Sequence, residues 1–337
     1  MSRLKILLGV AISVALVVYL FRSVDFAALG RQLRATHWGW AAVATLLAPA
    51  GIWARAVRWR YLFPPRSDPP GLVPATMIGY MANNVLPLRA GEFVRVYVVA
   101  RRWRAAGAGP GGRGHGFWTT LATLVVERML DSLFIVAMLA GLVLVIPVPA
   151  VLQWAAAGLL TIDLLGIAVL VGLAVAPGPC QRLIARLLGR WPALRARAHR
   201  VFDTFVHGLE GVRAWEHALP ILLWTGIVWV IPALSAWAML HAMNFHLPWL
   251  AGVTVLVFVG LGVAIPSAPG YVGVFHAAAV LAVGLFGVTQ SAAVGYALVF
   301  HASQIVPVTL VGWLFLLREH VSLGEATHAE VPPAEGA

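Results

Sequence analysis

An all-α, polytopic membrane helical bundle is the fold class this sequence predicts. Asp, Glu, Lys and Arg make up only 11% of the 337 residues and apolar side chains 61%, where a soluble domain carries about 25% charged residues. Apolar runs of the ~20 residues needed to cross a bilayer recur along the chain. The polar/apolar alternation of a membrane β-barrel is missing.

Taken in order, full spans are expected at about 6–21, 38–54, 117–146, 151–175, 218–243 and 290–317. Arg3 and Lys5 precede the first run without a small-residue cleavage site, so it reads as an uncleaved span. Less regular apolar pieces lie at about 72–88, 249–265 and 270–287, each short or cut by Pro and Gly. Proline removes a backbone donor and breaks the helix ladder. Broken backbone at membrane depth survives only where protein or a wet cavity satisfies it. These pieces are therefore expected to be re-entrant rather than simple spans.

The net charge is +11, and Lys5 is the only lysine among 24 basic residues. Most of the cations fall in 1–5, 55–66, 89–113 and 180–213, while the connections near 147–150, 244–249 and 288–290 hold none. By the positive-inside rule both termini are cytoplasmic, in a cell inner membrane. Cations lying between apolar spans suit an anionic membrane face rather than nucleic acid. Segment 180–213 is basic and amphipathic, with Arg182, Arg186 and Arg190 recurring at i, i+4 beside leucines. It is expected to lie on the cytoplasmic lipid surface. The membrane domain covers 1–321, and the polar, small-residue tail 322–337 is expected to be disordered. Cys180, the sole cysteine, allows no internal disulfide or thiolate metal cluster.

Two interruptions resemble each other. "NNVLPLRAGEFVRVY" (83–97) and "VAIPSAPGYVGVF" (263–275) each place a proline four residues before a glycine: Pro87 with Gly91, Pro266 with Gly270. In the expected topology the first enters from inside and the second from outside. That is the pattern of an inverted repeat, which places a transport site near the midplane between discontinuous helices. Two unrelated kinks would give the same match. Pro269 and Gly273 continue the second break.

The first break is polar and cationic. Asn83 and Asn84 can bond freed backbone or a ligand, and Arg89 and Arg95 can hold phosphate through the bidentate guanidinium fork. Glu92 is placed to orient one of them. A plain cytoplasmic boundary accounts for Arg101, Arg102 and Arg104 but less well for Arg89, which lies inside the break. "VVERMLDSL" sets Glu127 and Asp131 on one helix face, with Arg128 three residues before Asp131, well inside a span. Ionisable groups there are costly unless paired or wet, and mark function by default. They are expected to partner arginines of the first break; a structural ion pair between helices is the alternative. Arg55 and Arg58 end the second span and could meet lipid phosphate. His276 and His301 sit in apolar surroundings, as packing histidines or as groups that titrate with proton movement. No spacing suits a metal, no nucleotide-binding motif is visible, and no cofactor is expected.

The order of these motifs resembles the lysylphosphatidylglycerol synthase transmembrane (flippase-like) domain family over roughly 5–320. Asn83 or Asn84, Pro87, Arg89, Gly91, Glu92 and Arg95 fit its N-x-x-L-P-x-R-x-G-E-x-x-R pattern, and Glu127, Arg128 and Asp131 its E-R-x-x-D motif. Pro266, Pro269, Gly270 and Gly273 fit the third motif, but His276 stands where many members carry a glutamate and His301 where many carry an arginine. The resemblance implies transbilayer movement of a lipid: an aminoacylated phosphatidylglycerol, a polyprenyl-linked sugar or a hopanoid. Two-part members add a cytoplasmic aminoacyl-transferase domain, for which this chain leaves no room, so a transporter rather than a synthase is expected. The expected partners are a lipid with a phosphate headgroup and anionic lipid at the cytoplasmic face; a homo-oligomer or an envelope-biosynthesis partner is allowed. A membrane-embedded transferase on a lipid phosphate is the alternative, although no D-x-D or D-D-x-x-D pattern is present to hold Mg²⁺. A non-catalytic envelope scaffold is the third reading.

Overall fold

The computed structural model describes residues 3–22, 24–86, 89–105, 116–265 and 267–319. Pro87, Pro266 and the tail 322–337 lie outside the described residues. Among the described residues the chain is helical with no strand. In chain order the helices are α1 (Arg3–Phe21), α2 (Phe26–Arg34), α3 (Trp38–Arg60), α4 (Leu72–Val85), α5 (Gly91–Ala105), α6 (Phe117–Val143), α7 (Ala150–Val175), α8 (Pro177–Leu187), α9 (Pro192–Gly208), α10 (Glu210–Arg213), α11 (Trp215–Ala242), α12 (Trp249–Gly262), α13 (Val274–Gly284) and α14 (Gln290–Glu319).

Each expected span has its helix, with revisions. Among the described residues four helices, α3, α7, α11 and α14, are long and apolar enough to cross a membrane. A fifth candidate is the pair α1 and α2, bent by 89° at their junction. Helix α2 was not expected; Asp25 Oδ1 starts it by accepting from the backbone N–H groups of Ala27 and Ala28, which would otherwise be orphaned. With 27 residues α6 has the length to span, but its Glu127, Arg128 and Asp131 dilute its apolarity. Span two runs on to Arg60 instead of ending near 54, so Arg55 and Arg58 lie on its last turns.

Helices α3 and α11 pack antiparallel along their length. Ser235 Oγ donates to the Ala44 carbonyl at 2.8 Å, Trp53 meets Trp224, and the His37 N–H donates to the Ala242 carbonyl at 2.8 Å. This pair fixes the frame for the two interrupted segments. Helix α4 leaves from the C-terminal end of α3, and α12 from the C-terminal end of α11, which is the opposite end of the pair. Each is 14 residues long, about 21 Å at 1.5 Å per residue, short of the ~30 Å hydrocarbon core. Both turn back: α5 retraces α4, and α13 packs against α12. The segments are half-length hairpins entering from opposite ends, as the aligned breaks suggest.

Glycine permits the first hairpin to close. A Cβ on Gly91 would overlap the Gly79 carbonyl oxygen, so the backbones are in contact. Apolar packing follows the two hairpins. One core gathers Trp59, Ile78, Met81 and Val98 around α4–α5. Another gathers Met239, Phe258, Ala279 and Tyr296 around α12–α13. In the basic segment, α8 buries no residue and α9 rests on α6.

Candidate functional site

The hairpin tips meet inside the bundle. A Cβ on Gly270 would lie 3.3 Å from the Asn84 carbonyl oxygen. Gly270, Tyr271 and Gly273 all have positive φ, as does Arg89 in the first tip. The freed backbone finds side-chain partners, as a break at this depth requires. Asn83 Oδ1 accepts from the Gly91 N–H at 2.9 Å, capping α5. Ser13 Oγ of α1 accepts from the Ala268 N–H at 2.9 Å. His276 Nδ1 accepts from the Gly273 N–H at 3.3 Å, and His301 Nε2 lies 2.8 Å from the Gly270 carbonyl, to which it donates.

Both asparagines thus have a partner within the protein. Asn83 is buried under α5, and Asn84 Nδ2 donates to Thr309 Oγ1 of α14 at 2.9 Å. The two histidines, 25 positions apart in sequence, have ring centroids 4.6 Å apart, edge to face. They occupy the second tip, beneath Phe275.

Beside the first tip, α3, α5 and α6 bring charged groups into one network. Glu127 is fully buried and pairs with Arg95, with Arg128 at 2.7 Å and with Arg58 at 3.5 Å. Asp131 meets Arg58 at 2.7 Å, Arg55 at 2.8 Å and Arg128 at 3.4 Å. Glu92 pairs with Arg89 at 2.9 Å and reaches Arg128 at 3.7 Å. Five guanidinium groups therefore share three carboxylates, leaving two positive charges uncompensated within the network.

The network is graded from floor to lip. Arg58 and Glu127 are fully buried, and Arg95 is nearly so, its guanidinium 3.9 Å from the Trp59 ring centroid. Arg55, Arg128 and Arg89 are progressively more open, with 14%, 28% and 38% of the side chain exposed. Arg95 and Arg58, expected to touch phosphate, form the floor. Glu127 does find an arginine of the first break, but Asp131 is held by Arg55 and Arg58 of α3, because the longer α3 carries them to its level. The members of the network with the most exposed side chains are Arg89, Arg128, Glu92 and Arg55. Arg58 Nε and Arg128 Nε are buried without a hydrogen-bond acceptor.

Sequence reasoning passed over Asp163. It is buried on α7 and accepts from Ser132 Oγ of α6 at 2.6 Å. It is the only charged residue of α7, and one carboxylate in an apolar span was signal enough. Among the described residues no group of three His, Cys, Asp or Glu could hold a metal ion.

Half-length hairpins meeting at a charged cluster within apolar spans define a multi-pass membrane protein with a polar site buried in its bundle. The sequence model described as the lysylphosphatidylglycerol synthase TM region matches residues 6–312, and the chain belongs to that family. Its family is one of membrane proteins related to lipid handling. No curated protein and no solved structure matches the chain.

Proposed function

We propose that this protein moves a lipid that is anionic or carries phosphate in its headgroup across the bilayer without changing it chemically. One observation carries the reading: a guanidinium-rich network, two charges in excess of its carboxylates, beside the junction of two half-length hairpins. Charge at membrane depth costs at least ~2.5–3.5 kcal/mol per residue. An excess of it suits a site completed by an anion. Arginine binds phosphate through paired, charge-assisted hydrogen bonds. Arg89, Arg128 and Arg55 are the open members that would receive it, while Arg58 and Arg95 hold the floor. A headgroup so shielded crosses while its chains stay in lipid. Aminoacyl-phosphatidylglycerol, polyprenyl-phosphate-linked and hopanoid-type lipids are the cargo classes.

The membrane is the cell inner membrane, with both termini and the α8–α10 segment on the cytoplasmic side against anionic lipid. This follows from the basic bias of the connections at the C-terminal end of α3.

The test is headgroup movement in proteoliposomes. Labelled phosphatidylglycerol, its lysyl form and a polyprenyl phosphate would be followed by leaflet-specific quenching or extraction. Wild type should accelerate one of them, and Arg89→Ala should abolish the acceleration while folding normally. Equal movement by Arg89→Ala would sink the site assignment. Metal-dependent conversion of the lipid would replace transport by transfer.

A further inference from the structure

A cavity lies on another face of α6. Val126, Leu130 and Leu133 recur at i, i+4, i+7, a stripe distinct from that of Glu127 and Asp131. With Ile167 and Leu170 of α7 they wall a cavity of about 270 Å³. Its lining is apolar except at the end formed by α10, where Arg213 stands exposed. The volume falls just below the ~300–1,000 Å³ of pockets that take whole small molecules. That size suits a segment of an acyl chain, and the apolar wall does not suit a charged headgroup.

We infer that this cavity holds one acyl chain of an anionic phospholipid whose phosphate is paired by Arg213. The outer surface of α7 is apolar and exposed at Ile162, Leu165 and Val169, so a chain can enter from the bilayer. Arg213 is the only charged group of the lining. It ends a segment carrying Arg182, Arg186, Arg190, Arg195, Arg197 and Arg200, whose positive potential draws anionic lipid to this rim. The occupant is a resident lipid, apart from the cargo: the stripe that holds its chain faces away from the ion-pair network. The assignment does not depend on the transport reading.

The experiment is native mass spectrometry of the full-length protein from nanodiscs of equal phosphatidylglycerol and phosphatidylcholine. Arg89→Ala serves as background, so that lipid in the charged network is not counted. That variant should retain one phosphatidylglycerol in at least threefold preference over phosphatidylcholine. Adding Arg213→Ala, a surface change that leaves packing alone, should bring the preference to about one. Adding Leu130→Trp, which fills the cavity, should remove the retained lipid. Retention with no headgroup preference would overturn the role of Arg213. Undiminished retention with Leu130→Trp, or none in the background variant, would overturn the cavity as its site. Transport assays on the same variants report separately on the charged network.

Discussion

The carbonyl of Asn84 and the α-carbon of Gly270 meet where two hairpins from opposite ends of the bundle touch, with 3.3 Å between that oxygen and a Cβ built on the glycine. Gly270 has φ +68°, a conformation that costs an L-residue about 1–2 kcal/mol. Gly270→Ala should therefore lower stability by about that amount and part the tips. Thermal unfolding in detergent checks the first effect, and a distance measurement between spin labels on the tips the second.

Removing the buried carboxylate of Glu127 strands Arg95 and leaves Arg58 and Arg128 with less compensation. Breaking a buried pair on one side typically costs about 3–5 kcal/mol. Glu127→Gln should be destabilised on that scale. Arg95→Met combined with Glu127→Met should recover much of the loss, in a denaturation series on the single and double variants.

Arg89 behaves differently. It is the most open of the five arginines, and its partner Glu92 is itself partly open. Such pairs contribute about 0–1 kcal/mol. Arg89→Ala should melt within a few degrees of wild type yet lose headgroup movement, so stability and transport come apart at this residue. A large loss of stability would mean that Arg89 is structural.

His276 and His301 form a contacting pair, 4.6 Å between centroids. Replacing both, as His276→Glu with His301→Arg, puts opposite charges in contact, whereas either change alone buries one charge unpaired. The double variant should be more stable than the sum of its singles, with a coupling of about 0.5–3 kcal/mol. A double-mutant cycle measures it.

Ser132→Ala removes the donor to Asp163. An orphaned buried acceptor costs about 1–3 kcal/mol, and α7 should loosen from α6. Hydrogen exchange along α7 would show earlier opening than in wild type.

The broad architecture was legible because bilayer crossing imposes length and apolarity on a continuous stretch of chain. The breaks were legible because Pro and Gly announce them locally. The assembly of the charged site was less so. Nothing local tells that Arg58 ends up against Asp131, because their contact depends on how far α3 continues before α4 turns in. The asparagines read as ligand groups, since side-chain amides serve a backbone cap and a headgroup with the same atoms. No local pattern shows that Asn83 and Asn84 would find partners in Gly91 and Thr309. The nearness of His276 and His301 was likewise invisible, being set by the packing of α13 on α14.

The two hairpins share a shape but not a charge. The first carries Arg89, Glu92 and Arg95 into the bundle; the second, from Trp249 to Gly284, contains no Asp, Glu, Lys or Arg. Of the two hairpins, then, only the first offers guanidinium groups to an anion at the junction. An anion arriving beside the C-terminal end of α3 finds guanidinium groups ahead. Along the second hairpin it finds backbone, imidazole and aromatic rings, the cations of that end, Arg31 and Arg34, lying on α2 instead. Two hairpins alike in shape and unlike in charge give the bundle a built-in sidedness.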